Sequence, residues 1–490
     1  MADQPSPLWN QTKGRYAMKE EFKDQLRSLS EIVVKEETER EPYGAFWERV
    51  NLPGNPFPPS GIADVIENIP PFRDELTTKL LSFIRTSYLS GETRCMILSG
   101  DYGTGKTHTL RFIQWVVNTY MSKGDHSARA IYVERPRIEA NELNRTILRS
   151  IGYDTIKKYV WFVIRKEMIE EINNDAEGFQ ALKRKLTLPA KKSVNTKRLW
   201  DEEKVPIPSY FFEVFNDEVL TDHRTFLRTL ESKNWDREQV RHYLVGCLVK
   251  AIGEDVSVDL AQIFVALLLA KDETSFSSWE KIVGISNPKA LASLRAPTFL
   301  QFLIRLLSNN GISHVYLLID EFEEIPTTGL LSARQRQEYL YTMREVLDKI
   351  REGLTLVIAI TPPALVALVE LAVPLADRNE GPIYLPPVEL NDAVKIVQFY
   401  FDREREDAGL RKGRRGDIKP LSRELLSYVL EKFPSNAQRT PRNVIQFLHR
   451  LLSHAAEENL EQITEETVGA LLSEFGMAKL SSSQGQRRRK

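Results

Sequence analysis

The chain is short of cysteine. Its 490 residues hold two, Cys95 and Cys247, too few for a disulfide scaffold or a multi-cysteine zinc site. The seven histidines are scattered with no HxxxH pair, which excludes a zincin-type centre. Neither charge sign is in excess: 67 Lys+Arg stand against 68 Asp+Glu, a formal net charge of −1. The global basic surplus of a dedicated polyanion binder is therefore missing, although local basic patches are not excluded. Long apolar runs are missing too. Leu354–Ile360 has the length of a strand, and Leu365–Ala376 is interrupted by Glu370 and Pro374. Neither approaches the roughly 20 apolar residues of a bilayer span. The opening MADQPSPLWNQTKGR has no apolar h-region of a secretory signal. A reducing, cytoplasmic setting is the expectation.

What is present is globular: 42% hydrophobic and 28% charged residues, in a chain long enough for roughly three structural units at about 150 residues each. Residues 1–50 are polar and charged, with one helical stretch near Lys19–Glu39, and read as an extension. Asn51–Gly61, NLPGNPFPPSG, is too rich in proline and glycine for a regular element and reads as a rigid loop leading into the core.

From Ile69 the pattern changes. Pro70–Ile84 places Leu76, Leu80, Leu81 and Ile84 at helical spacing. Arg94–Gly100 is a short apolar run ending in glycine, a buried strand. Lys106–Met121 follows as a helix, Ala128–Pro136 as a strand and Ala140–Ile151 as a helix. Further on, His314–Ile325 is an apolar strand with acids at its end. Gln335–Ile350 (helix), Leu354–Pro363 (strand), Leu365–Leu375 (helix) and Pro382–Val388 (short strand) complete the alternation. Strand and helix in turn predict a parallel sheet covered on both faces, with ligands at the C-terminal strand ends. Residues 155–290 interrupt this alternation with mostly helical patterns. Residues 391–475 carry only helical ones, and the tail from 476 is small, polar and basic.

The strongest chemical signal is Gly100-Asp101-Tyr102-Gly103-Thr104-Gly105-Lys106-Thr107, a full GxxxxGK[ST] match between a predicted strand and a predicted helix. Its glycines let backbone N–H groups curl around phosphates at the positive end of a helix. Lys106 can reach the β- and γ-phosphates and the Thr107 hydroxyl can ligand Mg²⁺. Asp320 and Glu321 close the apolar strand Val315–Ile319. The first can hold Mg²⁺ and the second can orient or deprotonate a water. Glu323 and Glu324 read as a solvated strand end. Thr361 ends the next strand, either as a hydrogen-bond donor to phosphate or water, or as a cap before Pro362-Pro363. Arg378 and Arg442 are each a surface arginine or a guanidinium placed to neutralise phosphoryl charge.

This order of motifs resembles the AAA+ ATPases, and within them the origin-recognition initiator branch and the related prokaryotic phage-exclusion (BREX) and transposition-regulator ATPases. GDYGTGKT resembles Walker A and LLIDEFEEI (Leu317–Ile325) Walker B. IAITPP (Ile358–Pro363) resembles sensor 1, and TPRNVIQFLHRLL (Thr440–Leu452) the sensor 2 helix of a lid. The resemblance implies an α/β P-loop NTPase: a parallel AAA+ sheet in two parts, 51–154 and 291–390, with a helical insertion at 155–290 and an α-helical lid at 391–475. It implies ATP and Mg²⁺ as cofactors. It makes Gly100–Thr107 and the adjoining His108 nucleotide contacts, Arg442 an in-cis sensor and Arg378 a trans-acting finger. Pro70–Phe72 and Arg73 sit at the adenine-side box. Ser277–Pro297, with Trp279, is similar to the phage-exclusion ATPases, and plain core packing explains Trp279 equally well.

Two departures stand out. With only 18 residues given after Leu472, the initiators' winged helix is not expected there, and the second strand ends in Glu134-Arg135-Pro136 rather than a small polar residue. The implied activity is ATP hydrolysis driving self- or heteromeric assembly on DNA, in replication, transposition or phage defence. The acid-free basic run Lys183–Arg198 is a candidate contact to the phosphate backbone. The alternative is a slow nucleotide switch that recruits a protein effector such as a nuclease or an SMC-like partner without touching DNA.

Overall fold

In the computed structural model the described residues are 9–12, 15–18, 40–61, 72–123, 126–136, 140–174, 224–226, 228, 237–253, 258–270, 296–327, 331–371, 381–409, 416–433, 435 and 438–471. The chain divides into two compact units, one of residues 1–64 with 387–490 and the other of 65–386.

The second unit is built on a parallel sheet. Its strands are β3 (Arg94–Ser99), β4 (Ser127–Val133), β5 (Ile312–Ile319), β6 (Leu354–Ile360) and the two-residue β7 (Ile383–Tyr384), in the order β4-β5-β6-β3-β7. Every pairing is parallel. Strands buried on both faces read as continuous apolar runs, which is the texture of RCMILS and LTLVIAI. Alternate side chains divide between two cores. Met96, Leu98, Ala130, Tyr132, Leu318 and Val357 pack with helices Asp74–Ser90 and Lys106–Tyr120. Ile97, Ile131, Leu317 and Leu356 belong to one larger apolar cluster on the opposite face.

That larger cluster explains the helical stretch between the two halves of the sheet. Helices Tyr153–Asn174, Arg237–Ile252 and Val258–Leu269 contribute Ile164, Leu248 and Phe264 to the same core as the strands. Helices Ala296–Asn309 and Ala333–Lys349 add Phe302 and Leu347. The interruption in the α/β pattern is therefore a wall of the sheet's own core.

The first unit combines the hairpin β1 (Trp9–Thr12) and β2 (Arg15–Met18), helix Arg40–Val50 and helices Leu390–Asp407, Arg423–Lys432 and Pro441–Glu457. Residues 465–471 form a last helical turn pair. Thr440 caps its helix by accepting from the Asn443 amide, with Pro441 in the first turn. The proline-rich loop 51–61 lies along helix Pro441–Glu457. Asn55 Nδ2 donates to the His449 carbonyl at 2.7 Å and to Ser453 Oγ at 2.8 Å, and His449 Nδ1 donates to the Phe57 carbonyl at 2.6 Å. Phe57 packs between the rings of Tyr400 and Phe401. The buried Arg405 guanidinium donates to the carbonyls of Asn51 and Asp417, tying the early segment to the late helices. The loop therefore serves the helical unit, a correction to its reading as an entry into the sheet domain. Among the described residues, no helix is long and apolar enough to cross a membrane.

His314 gives the sheet unit a measurable acid sensitivity. It is buried on β5, Nε2 lies 2.8 Å from Thr355 Oγ1, and burial pushes the imidazole down to about 4. An unfolded histidine titrates near 6.5, so the neutral form is favoured by folding. Its contribution is present above pH 6.5 and is lost as pH falls through 4. We expect His314→Gln to flatten the stability-versus-pH curve in that window by up to about 3 kcal/mol in denaturant titrations. Identical slopes for variant and wild type would contradict this.

Candidate functional site

The site lies where β3, β5 and β6 end. Backbone pairing continues past the ends of β3 and β5: the Gly100 amide donates to the Ile360 carbonyl (3.1 Å), the Asp320 amide to Val133 (2.9 Å) and, three residues beyond β5, the Phe322 amide to Ala359 (3.2 Å). Gly100, Asp320 and Thr361 are thereby brought to one edge of the sheet.

The loop from Gly100 to helix Lys106–Tyr120 turns on its glycines. Gly103 and Gly105 have φ of 81° and 97°, a region that non-glycine residues rarely occupy. A Cβ on Gly100 would meet Thr104 Oγ1 at 2.5 Å, whereas one on Gly105 would project into open space. Such space above a helix N-terminus is what an anion needs. Thr104 closes the turn by donating to the Asp101 carbonyl at 2.7 Å. Buried Arg73 donates to the Thr104 carbonyl at 3.1 Å, so this residue of the adenine-side stretch braces the loop itself. Phe72 meets the His108 ring edge-on at 6.2 Å. Asp101, Tyr102 and Thr107 are exposed.

Lys106 is buried, and its ammonium is folded back into the loop. Nζ donates to the Gly100 carbonyl at 2.8 Å, stands 5.3 Å from the centre of the Tyr102 ring, and lies 3.8 Å from Glu323 Oε1. Glu323 is thus no part of a solvated strand end, a correction to the sequence reading. It is buried against the loop lysine, and its Oε2 has no hydrogen-bond partner. Burial raises its pKa above the ordinary value and Lys106 opposes that rise. Only the run of acids around it was visible in the sequence, and such runs are usually exposed.

Asp320 is also buried. Tyr132 donates its hydroxyl to Oδ2 at 2.9 Å, and the Glu321 amide donates to Oδ1 at 2.9 Å. Glu321 has φ of 50°, left-handed for a residue with a side chain. Its carboxylate is half-exposed and pairs with Arg135 Nε at 2.6 Å; Glu324 lies 3.9 Å from the same nitrogen. Arg135 and Tyr132 both belong to the end of the second sheet strand in sequence, which the sequence reading marked only as a departure. Thr361 is buried behind this edge, its carbonyl accepting from the Leu365 amide.

The residues present fit a nucleoside triphosphate with Mg²⁺. The loop supplies amides, an ammonium and open space, and Thr107 and Asp320 are hard oxygen donors of the kind Mg²⁺ prefers. Arg442 belongs to the other compact unit, on helix Pro441–Glu457, where its backbone carbonyl lies 2.6 Å from the position a Cβ on Gly61 would take. Arg378, Trp279 and Lys183–Arg198 lie outside the described residues.

A glycine loop between β3 and its helix, set beside an acid-tipped strand of a parallel sheet, is the α/β P-loop arrangement. No protein-family model and no curated protein matches the chain. Among solved structures it is similar to the Aeropyrum pernix ORC2 protein in its ADP form, with 12% identity and a TM-score of 0.39 over 84% of this chain and 70% of that one. It is also similar to the ADPNP–ADP complexes of the same protein, with 13% identity and a TM-score of 0.37 over 83% and 69% of the two chains.

Glu323 leads to a stability test. An acid whose pKa is raised by folding opposes folding once ionised, so its cost is present at neutral pH and disappears as pH falls below the glutamate range. We expect nucleotide-free Glu323→Gln to melt at a higher temperature than wild type at pH 7, with the difference closing toward pH 4. A lower melting temperature at pH 7 would refute the dominance of burial over the Lys106 contact.

Proposed function

We propose that this chain is an AAA+-type ATPase that binds ATP with Mg²⁺ at the Gly100–Thr107 loop and uses the bound and hydrolysed states to assemble with other subunits on DNA. The observation that carries this reading is the loop itself: left-handed glycines around open space, with a buried lysine ammonium beneath and a doubly hydrogen-bonded aspartate at the neighbouring strand end.

Each residue has a role that follows from its place. Amides of the loop and of the helix start receive phosphate oxygens. Lys106 exchanges the Gly100 carbonyl and Glu323 for the β/γ-phosphates. Thr107 and Asp320 would hold Mg²⁺, which supplies positive charge and Lewis acidity to the phosphates when bound. Glu321 orients a water and accepts its proton, while Thr361 offers a hydroxyl at the same edge. Arg442 would sense the γ-phosphate from the helical unit, and Arg378 would complete a neighbouring subunit's site. Tyr102, exposed beside the lysine, and His108 with Phe72 flank the nucleotide. Basic Lys183–Arg198 is the segment for the DNA phosphate backbone, and replication, transposition or phage defence is the setting that the motif resemblance favours.

A second reading is supported by the Arg135–Glu321 pair. A water-activating carboxylate engaged by an arginine turns over slowly, and a slow switch that recruits a protein effector fits that restraint. The pair is exposed on both sides, so solvent screens it and a partner can displace it.

The test is binding and turnover measured separately. We expect Lys106→Ala to lose nucleotide binding. Glu321→Gln should keep binding while turnover falls about 10²-fold or more. Unchanged turnover in that variant would remove Glu321 from its role. Arg135→Ala should raise basal turnover if the pair is a restraint. DNA affinity that falls steeply with salt, and less steeply after charge removal at Lys191 and Lys192, separates the first reading from the second.

A further inference from the structure

Tyr132 is far from the glycine loop in sequence and has no place in the motif set, yet it makes the most direct side-chain contact to the metal-side acid. Its hydroxyl is 2.9 Å from Asp320 Oδ2, and both residues are buried. With the Glu321 amide on Oδ1, one donor engages each oxygen, so the carboxylate plane cannot rotate without breaking a buried hydrogen bond.

Tyr132 is itself held on two sides. The Arg111 guanidinium, from the helix that opens at Lys106, lies over the ring at 3.6 Å from its centre. Two residues earlier on β4, Asn118 of the same helix clamps the backbone of Ala130, donating to its carbonyl at 3.1 Å and accepting from its amide at 2.8 Å. Helix Lys106–Tyr120 therefore reaches Asp320 along a second route, through β4, besides the loop at its own start.

We propose that Tyr132 is a positioning residue for the Mg²⁺–nucleotide site, holding the Asp320 carboxylate in one orientation whose remaining lone pairs are left for the metal. The inference deepens the ATP-binding reading and rests on it. It assigns Tyr132 to metal use rather than to nucleotide affinity as such. Groups that orient a metal ligand typically change metal affinity by about 10–100-fold when removed, whereas a purely space-filling tyrosine would leave Mg²⁺ dependence alone.

The experiment uses the full chain and ADP binding by calorimetry, first in EDTA and then across a Mg²⁺ titration. Tyr132→Phe keeps the ring, the Arg111 contact and the volume. We expect its ADP affinity in EDTA to match wild type, and its Mg²⁺ requirement for tight binding to rise about 10-fold or more. Asp320→Asn should raise the requirement as well, and the double variant should be no worse than Asp320→Asn alone, because both act through one ligand. Equal Mg²⁺ titrations for Tyr132→Phe and wild type overturn the role while leaving the nucleotide site intact. Additive effects in the double variant overturn it too. A loss of affinity in EDTA as large as that in Mg²⁺ identifies Tyr132 as a structural residue only. Failure of the wild type to bind ADP under either condition overturns the nucleotide reading, and this role with it.

Discussion

Three backbone hydrogen bonds beyond the strand ends govern what this chain can do. Gly100 to Ile360, Asp320 to Val133 and Phe322 to Ala359 keep neighbouring parallel strands in register past their last regular residue. Without them the glycine loop, the acidic tip of β5 and the end of β6 would be loops near one another. With them, the loop that carries Lys106 and the buried Asp320 are both held at the same end of the sheet. Rigid placement of this kind is what the proposed ATPase reading calls for, because phosphoryl transfer relies mostly on positioning and electrostatics.

The same end of the sheet concentrates charge whose hydrogen-bonding capacity is met only in part. Lys106 spends its ammonium on a backbone carbonyl and on Glu323, whose second oxygen is left without a partner. Burying a carboxylate costs free energy unless its hydrogen bonds are made. Asp320, by contrast, is fully engaged through Tyr132 and the Glu321 amide. One acid is therefore fixed by two hydrogen bonds and the other is held by the loop lysine, a division that suits the proposed metal and phosphate roles.

What could be read from the sequence was what is local. The GxxxxGK[ST] loop is a contiguous pattern, and so are the apolar runs that became β3 and β6, whose limits fall within a few residues of expectation. The acids of β5 were legible because they follow directly on an apolar strand. What escaped depends on adjacency across the sheet or across the chain. Tyr132 and Asp320 are 188 residues apart, and nothing in YVERP announces which strand will lie beside it. Glu323 looked solvated because a run of acids hides the turn made at left-handed Glu321. The loop 51–61 was correctly seen as irregular, but its partner, helix Pro441–Glu457, lies almost 400 residues later.

The large apolar cluster limits how this molecule can be simplified. Helices Tyr153–Asn174, Arg237–Ile252 and Val258–Leu269 cover the face of the sheet that carries Ile97, Ile131, Leu317 and Leu356. Excising them would not leave a minimal nucleotide-binding module. It would lay bare a greasy wall along the sheet, and the trimmed fragment would be expected to clump before it could be assayed. These helices are part of the sheet's own core, so substitutions on their inward faces disturb the sheet while those on their outward faces leave it in place.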